Sequence, residues 1–331
     1  MKALNIRVFG EGPDLALIHG WGLGSTVWTP LLDRLLAHFR IYLVDLPGYA
    51  SDELGLNSID RCPVIRASAC STEGLPGEPL LTPLSSPTPC RTSTGAALQE
   101  PPLATADFKA NFQATAQAAF ADSARGLVDA LPAGVTLCGW SLGAMLALQA
   151  ALIAPDRIAR LILLGATPSF TQRADWTLGQ PAALLDTFQA ALDEHPKATL
   201  QRFVALLNQG DAQARTIGRT LLAGLLKGAF PATDALRDGL NFLRHIDLRQ
   251  LIPSVLTPTL LIHGQHDPLM PLAAAQWLAE HLLHSDPHSR TYPHVPSRLE
   301  VFAGSAHAPF LNDPQRFVAL LADFCHVCTP H

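Results

Sequence analysis

A serine stands between two glycines in VTLCGWSLGAML, residues 135–146, where a continuous apolar run meets an Ala/Leu-rich one. An apolar run bounded by turn-forming residues predicts a buried strand, and the stretch that follows predicts a helix. Gly139-Trp140-Ser141-Leu142-Gly143 thus fits G-x-S-x-G at a strand-to-helix turn, which lifts a hydroxyl into the open for nucleophilic attack. The glycines belong to the same chemistry, because so sharp a turn leaves no room for side chains against the adjoining strand and helix.

A serine hydroxyl is a weak nucleophile until a base takes its proton and an acid orients that base. Two later segments supply those types. LLIHGQHDPLMP places Asp267 just beyond a predicted strand, and VFAGSAHAPF places His307 just beyond the next. Taken singly, Asp267 also reads as a helix cap and His307 as a loop histidine. Their order after Ser141, each at a strand end, favours a catalytic triad. His263 and His266 lie too near Asp267 in sequence to bridge it to a serine, and His19 precedes the nucleophile. Asp45, at the end of YLVDLPG, is a conceivable alternative acid as well as a structural strand-end residue. The oxyanion formed on attack needs preorganised N–H donors. Leu142, after the serine, would supply one, and Trp21 in IHGWGLGSTVW the other.

These residues need a scaffold that gathers strand ends. ALNIRVFG and LALIHG read as an opening pair of strands, and FRIYLVDLPG, VTLCGW and ARLILLGA as buried ones, with helices at 27–37, 108–130 and 142–154. PTLLIHGQHD and RLEVFAGSAH repeat the pattern, followed by helices near 271–283 and 314–325. Such alternation predicts an α/β fold, a mostly parallel sheet with helices on both faces. From 169 to 250 the strands stop and four helical stretches follow, AALLDTFQAAL, ATLQRFVALLNQ, AQARTIGRTLLAGLL and ATDALRDGLNFLRHI. The expected organisation is a core of residues 1–168 and 251–331 with a helical cap, 169–250, over the site.

Residues 52–106 depart from this pattern, with eight prolines in 55 positions, many Ser and Thr, and no sustained period. They predict an irregular surface insertion, and HSDPHSRTYPHVPSR, 284–298, a shorter one. His281, His284, His288 and His294 have no accompanying carboxylate or cysteine pattern, so a solvated loop is favoured over a metal site. Cys325-His-Val-Cys328 is a lone CxxC, and the six cysteines show no regular framework, as suits reduced thiols. With 48% apolar and 15% charged residues the chain can bury a large core, and its net charge of −5 argues against a nucleic-acid binder reliant on a basic surface. It offers neither a secretory apolar region nor a run of about 20 apolar residues to span a membrane. A cytoplasmic monomer needing no metal or organic cofactor is expected.

HGWG, D-x-P-G, GWSLG, G-x-x-D and AHAPF together resemble the α/β-hydrolase fold, whose triad follows in the order Ser, acid, His. Their form is similar to that of the pimeloyl-ACP methyl ester carboxylesterase family of biotin synthesis. The resemblance covers nearly the whole chain outside 52–106 and 284–298. It implies that Ser141 is the nucleophile, His307 the base and Asp267 its partner, with Trp21 and Leu142 lining the substrate site. It further implies substrate contacts from Phe203, Val204, Ala205, Leu206 and Leu207 on a cap helix, a stretch that also reads as a core-facing stripe. The implied partner is acyl-carrier protein, docking on Arg202, Arg215 and Arg219, with a further basic position displaced to Lys197. Arg215 and Arg219, four apart, share a helix face, which also reads as a merely solvated basic face.

The sequence departs from the family after Asp45-Leu46-Pro47-Gly48, where the usual turn gives way to the Pro-rich insertion. The second insertion lies between Asp267 and His307. The expected reaction is hydrolysis of the pimeloyl-ACP methyl ester to pimeloyl-ACP and methanol. Alternatives are a general short-chain carboxylesterase, a C–C bond hydrolase, or a binding protein whose triad the insertions have silenced.

Overall fold

A computed structural model describes residues 4–49, 103–227, 230–282 and 297–326. The chain opens with β1 (Asn5–Phe9) and β2 (Asp14–Ile18), then a 3₁₀ segment (Ser25–Leu31) running into α1 (Leu32–Leu35), and β3 (Arg40–Asp45). After the insertion come α2 (Leu103–Ala130), β4 (Val135–Trp140), α3 (Leu142–Ile153) and β5 (Ile158–Leu164). Four helices follow, α4 (Ala182–Glu194), α5 (Pro196–Leu207), α6 (Ala214–Lys227) and α7 (Thr233–His245). The chain then returns through β6 (Thr259–Gly264), α8 (Leu272–Leu282), β7 (Arg298–Phe302), α9 (Pro309–Asn312) and α10 (Pro314–His326).

The strands form one sheet in the order β1-β3-β2-β4-β5-β6-β7, with β1 antiparallel to β3 and every other pairing parallel. The sequence suggests β1 and β2 as an opening pair, but β3 lies between them. Polar Asn5 and Arg7 suit β1 to the sheet edge, whereas β3 is apolar from Ile41 to Val44 and takes an interior place. The register aligns the carboxyl ends: Ile18 pairs with Gly139, Trp140 with Leu164, Leu164 with Ile262 and Gly264 with Phe302. The loops carrying Trp21, Ser141, Asp267 and His307 therefore leave the same edge, where open α/β sheets bind ligands.

α2 begins at Leu103, so residues 103–106 of the expected insertion are helical; residues 52–102 lie outside the described residues. Likewise Arg298 opens β7, while residues 284–296 lie outside the described ones. The helices between β5 and β6 are amphipathic. α7 buries Ala235, Leu236, Gly239, Leu240 and Leu243, and α6 buries Ile217, Leu221 and Leu225 while leaving Arg215 and Arg219 exposed. Among the described residues no helix is long and apolar enough to cross a membrane.

Candidate active site

Ser141 adopts φ 59°, ψ −118°, the only positive φ at a non-glycine among the described residues. Such a conformation costs on the order of 1–3 kcal/mol and persists only where the surroundings impose it. Here the register imposes it: the Ser141 N–H donates to Leu164 O at 2.8 Å, and Ser141 O accepts from Ala144 N at 2.9 Å to start α3. The flanking glycines allow the turn to close. A Cβ on Gly139 would overlap the Gly143 carbonyl, and one on Gly143 would lie 2.6 Å from the carbonyl oxygens of Ile18 and His19.

His307 is fully buried and its Nδ1 lies 2.6 Å from Asp267 Oδ2. The other carboxylate oxygen accepts the N–H groups of Leu269 (2.9 Å) and Met270 (2.8 Å), so the acid cannot rotate away. Burial works against the Asp267 charge, but His307, His263 and the Met270 N–H outweigh it and hold the carboxyl below its ordinary pKa. The ionised acid fixes the proton on His307 Nδ1. His307 Nε2, buried, has no hydrogen-bond partner among the described residues.

Three contacts set the histidine loop against the elbow. Trp140, the residue before Ser141, donates its indole N–H to His307 O at 2.7 Å. Leu207 O, at the end of α5, accepts the His307 N–H at 3.2 Å. Asp211, buried in the α5–α6 turn, accepts Ala306 N–H on one oxygen (2.8 Å), and Gln213 N–H (2.7 Å) and Asn312 Nδ2 (2.8 Å) on the other. Gly165, just after β5, closes the floor with φ +50°; a Cβ there would sit 2.9 Å from His307 Nδ1 and 3.3 Å from Asp267 Oδ2.

The loop after β2 faces Ser141. A Cβ on Gly20 would lie 3.1 Å from Ser141 Cβ, and Trp21 is anchored by its indole N–H to Leu236 O at 2.8 Å. The backbone N–H of Leu142 has no helical acceptor, since the residue four earlier, Cys138, belongs to β4. Neither it nor the Trp21 N–H donates to anything among the described residues. Both are free to bind an oxyanion.

A profile described as the alpha/beta hydrolase fold matches residues 15–314. A pimeloyl-[acyl-carrier protein] methyl ester esterase from Yersinia enterocolitica is 33% identical over 98% of this chain and 98% of its own. One of the same name from Aromatoleum aromaticum is 34% identical over 94% of this chain and 97% of its own. The chain belongs to this esterase family of α/β hydrolases. Among solved structures, an Exiguobacterium antarcticum esterase matches with a TM-score of 0.66 at 20% identity, covering 98% of this chain and 97% of that one. An enol-lactonase from Burkholderia xenovorans matches with a TM-score of 0.64 at 17% identity, covering 97% and 96%. These two likenesses speak for the fold alone.

Within this family member the other candidate residues separate. Asp45 is engaged by Arg7 (2.9 Å) and the Ser25 N–H (2.8 Å), away from His307. His263 directs Nε2–H to Met270 O at 2.6 Å, leaving its 3.5 Å approach to Asp267 a through-space contact, and His266 is exposed. The α5 stretch divides. Phe203 packs edge-on against Trp21, with ring centroids 4.8 Å apart, and Leu207 holds the histidine loop, while Leu206 is half-buried. Val204 and Ala205 instead line a groove of about 650 Å³ between α5 and α6, shared with Asn208, Arg215 and Arg219. Lys197, Arg202, Arg215 and Arg219 are exposed and pair with no carboxylate among the described residues, whereas Arg237, Arg244 and Arg249 each do.

Gly165, Asp211 and Phe188, the second ring packed edge-on against Trp21, escaped the sequence reading. Gly165 carried a usable signal, a glycine directly after a buried strand; Asp211 and Phe188 carried none. The described residues contain no group of three or more His, Cys, Asp and Glu able to hold a metal; His284, His288, His294 and Cys328 lie outside them.

Proposed function

We propose that this chain hydrolyses the methyl ester of a pimeloyl group carried by acyl-carrier protein, through an acyl-enzyme on Ser141. The observation that carries the chemistry is the His307–Asp267 pair, 2.6 Å apart, with Nε2 left bare on a loop bound to the nucleophile elbow. Family membership over nearly the full length carries the substrate.

Ser141 Oγ attacks the ester carbonyl as His307 Nε2 takes its proton, and Asp267 stabilises the imidazolium without itself accepting a proton. The Trp21 and Leu142 N–H groups bind the oxyanion. Collapse breaks the bond to the methoxy oxygen, His307 returns the proton, and methanol leaves. Water, deprotonated by His307, then attacks the acyl-serine; the acyl–Oγ bond breaks, His307 returns the proton to Ser141 Oγ, and pimeloyl-ACP is released.

Residues 169–250 serve as a cap in this reading, since α4, α5 and α7 supply Phe188, Phe203 and Leu236 around Trp21. The exposed cations Arg202, Arg215, Arg219 and Lys197, without a carboxylate partner among the described residues, dock the acidic carrier. A fluorophosphonate probe should label Ser141, and carrier-bound ester present beforehand should slow that labelling. Glu in place of both Arg215 and Arg219 should raise KM for that ester while sparing a free short-chain methyl ester. Equal loss on both substrates would remove the docking role.

A further inference from the structure

His19 is completely buried beside the elbow, and the proposed reaction gives it no task. Its ring bridges two backbone groups. Nδ1 lies 2.8 Å from Gly20 O, which can only accept, and Nε2 lies 3.0 Å from Leu46 N, which can only donate. These partners allow one tautomer, Nδ1–H with a bare Nε2. Burial favours the neutral ring, outweighing the opposing pull of Asp45 and of the Gly20 bond.

Gly20 O belongs to the same peptide unit as the Trp21 N–H. In a planar trans peptide the C=O and N–H point in opposite directions, so fixing one aims the other. The surrounding bonds restrain this loop at each end and leave that N–H open. Gly22 N–H donates to Tyr49 Oη at 3.2 Å, and the Trp21 indole is held by Leu236 O. The Leu46 contact ties the ring in turn to the end of β3, where the Arg7–Asp45–Ser25 cluster pins the chain.

We propose that His19 is a positioning residue for oxyanion binding: by holding Gly20 O through Nδ1–H, it aims the Trp21 N–H at the oxygen that becomes negative when Ser141 attacks. The inference rests on the reading of Ser141 as nucleophile and Trp21 N–H as oxyanion donor. Nothing in it depends on the carrier protein, so a free methyl ester serves as substrate.

Asn reproduces the position of Nδ1 and Gln that of Nε2. His19→Asn therefore keeps the Gly20 bond and loses the Leu46 bond, and His19→Gln does the reverse. Each loses one of the two bonds, so stability alone does not separate them. Loss of one oxyanion donor costs roughly 10²–10³ in kcat. His19→Gln should fall by about that much with KM little changed, and should lose affinity for a trifluoromethyl ketone that forms an oxyanion on Ser141, while His19→Asn stays within about tenfold of the unsubstituted chain on both measures. Equal kcat in the two variants, or a loss confined to KM, would overturn the inference. Nitrogen-15 NMR of the unsubstituted protein gives a reading that no folding defect can obscure: the ring proton should be on Nδ1, and finding it on Nε2 overturns the proposal. Should Ser141→Ala retain full turnover, the nucleophile reading itself fails, an outcome distinct from matched Asn and Gln variants beside an inactive Ser141→Ala.

Discussion

Asp267 keeps its charge where burial alone would oppose it, because His307 and the Leu269 and Met270 N–H groups all hydrogen-bond to the carboxylate. Asp267→Asn should leave the fold in place yet lower kcat by about 10⁴-fold, since an amide cannot hold His307 in the required tautomer. The same substitution has a signature in stability. A carboxyl whose folded pKa lies below its unfolded value stabilises the fold above about pH 4 and loses that contribution as pH falls through the folded value. Urea unfolding of the two proteins should show the parent's advantage shrinking as pH drops below that point; a constant gap would mean the carboxylate carries no such linkage. At this scale the sequence was most legible where chemistry restricts residue type. Ser141 was visible because its glycines are forced by backbone contacts with β2 and α3. Gly165 was harder to see, since its reason is the ring of His307, far away in sequence.

α5 and α6 approach the loop that carries His307 through the turn between them. Asp211 gathers Ala306, Gln213 and Asn312 on one buried carboxylate, so Asp211→Ala strands the buried Ala306 donor at a cost of about 1–3 kcal/mol, and the part-buried Gln213 and Asn312 donors at less. More telling is the split between rate and affinity. Freeing the loop that carries His307 should reduce kcat on a free methyl ester with KM nearly constant, and Asp211→Asn, which can still accept some of these bonds, should lose less. An Asp211→Ala enzyme with unchanged kcat would show that Leu207, Trp140 and the loop's own packing suffice. The strands and helices were largely readable from their apolar periods, and VTLCGW coincides with β4 residue for residue. The position of β3 between β1 and β2 was not readable, because adjacency in a sheet depends on the partners each strand meets rather than on its own pattern. Nor could periodicity reveal that Ala205 turns toward Arg215 while Phe203 turns toward Trp21.

Across the whole molecule, two fully buried histidines, His19 and His263, have pKa values held below the ordinary range by burial, against the pull of nearby carboxylates and their bonds to backbone carbonyls. Each takes up a proton more readily when unfolded. Stability should therefore decline as pH falls below about 6.5, by up to about 1.4 kcal/mol per pH unit for each histidine, until the folded values are reached. Denaturant midpoints at pH 7.5 and pH 5.5 in one buffer series would register this loss, and a flat profile would mean the two rings protonate alike in both states. Ser141 is expected to cleave a methyl ester from a carrier-bound pimeloyl chain. This is tested most directly by incubating pimeloyl-ACP methyl ester with the purified chain and with Ser141→Ala, and following the carrier by intact-protein mass spectrometry. The parent should convert the ester to the free acid with methanol released, and the variant should leave it intact. An ester untouched by the parent, or hydrolysed equally by both, would rule out Ser141 as the nucleophile of this reaction.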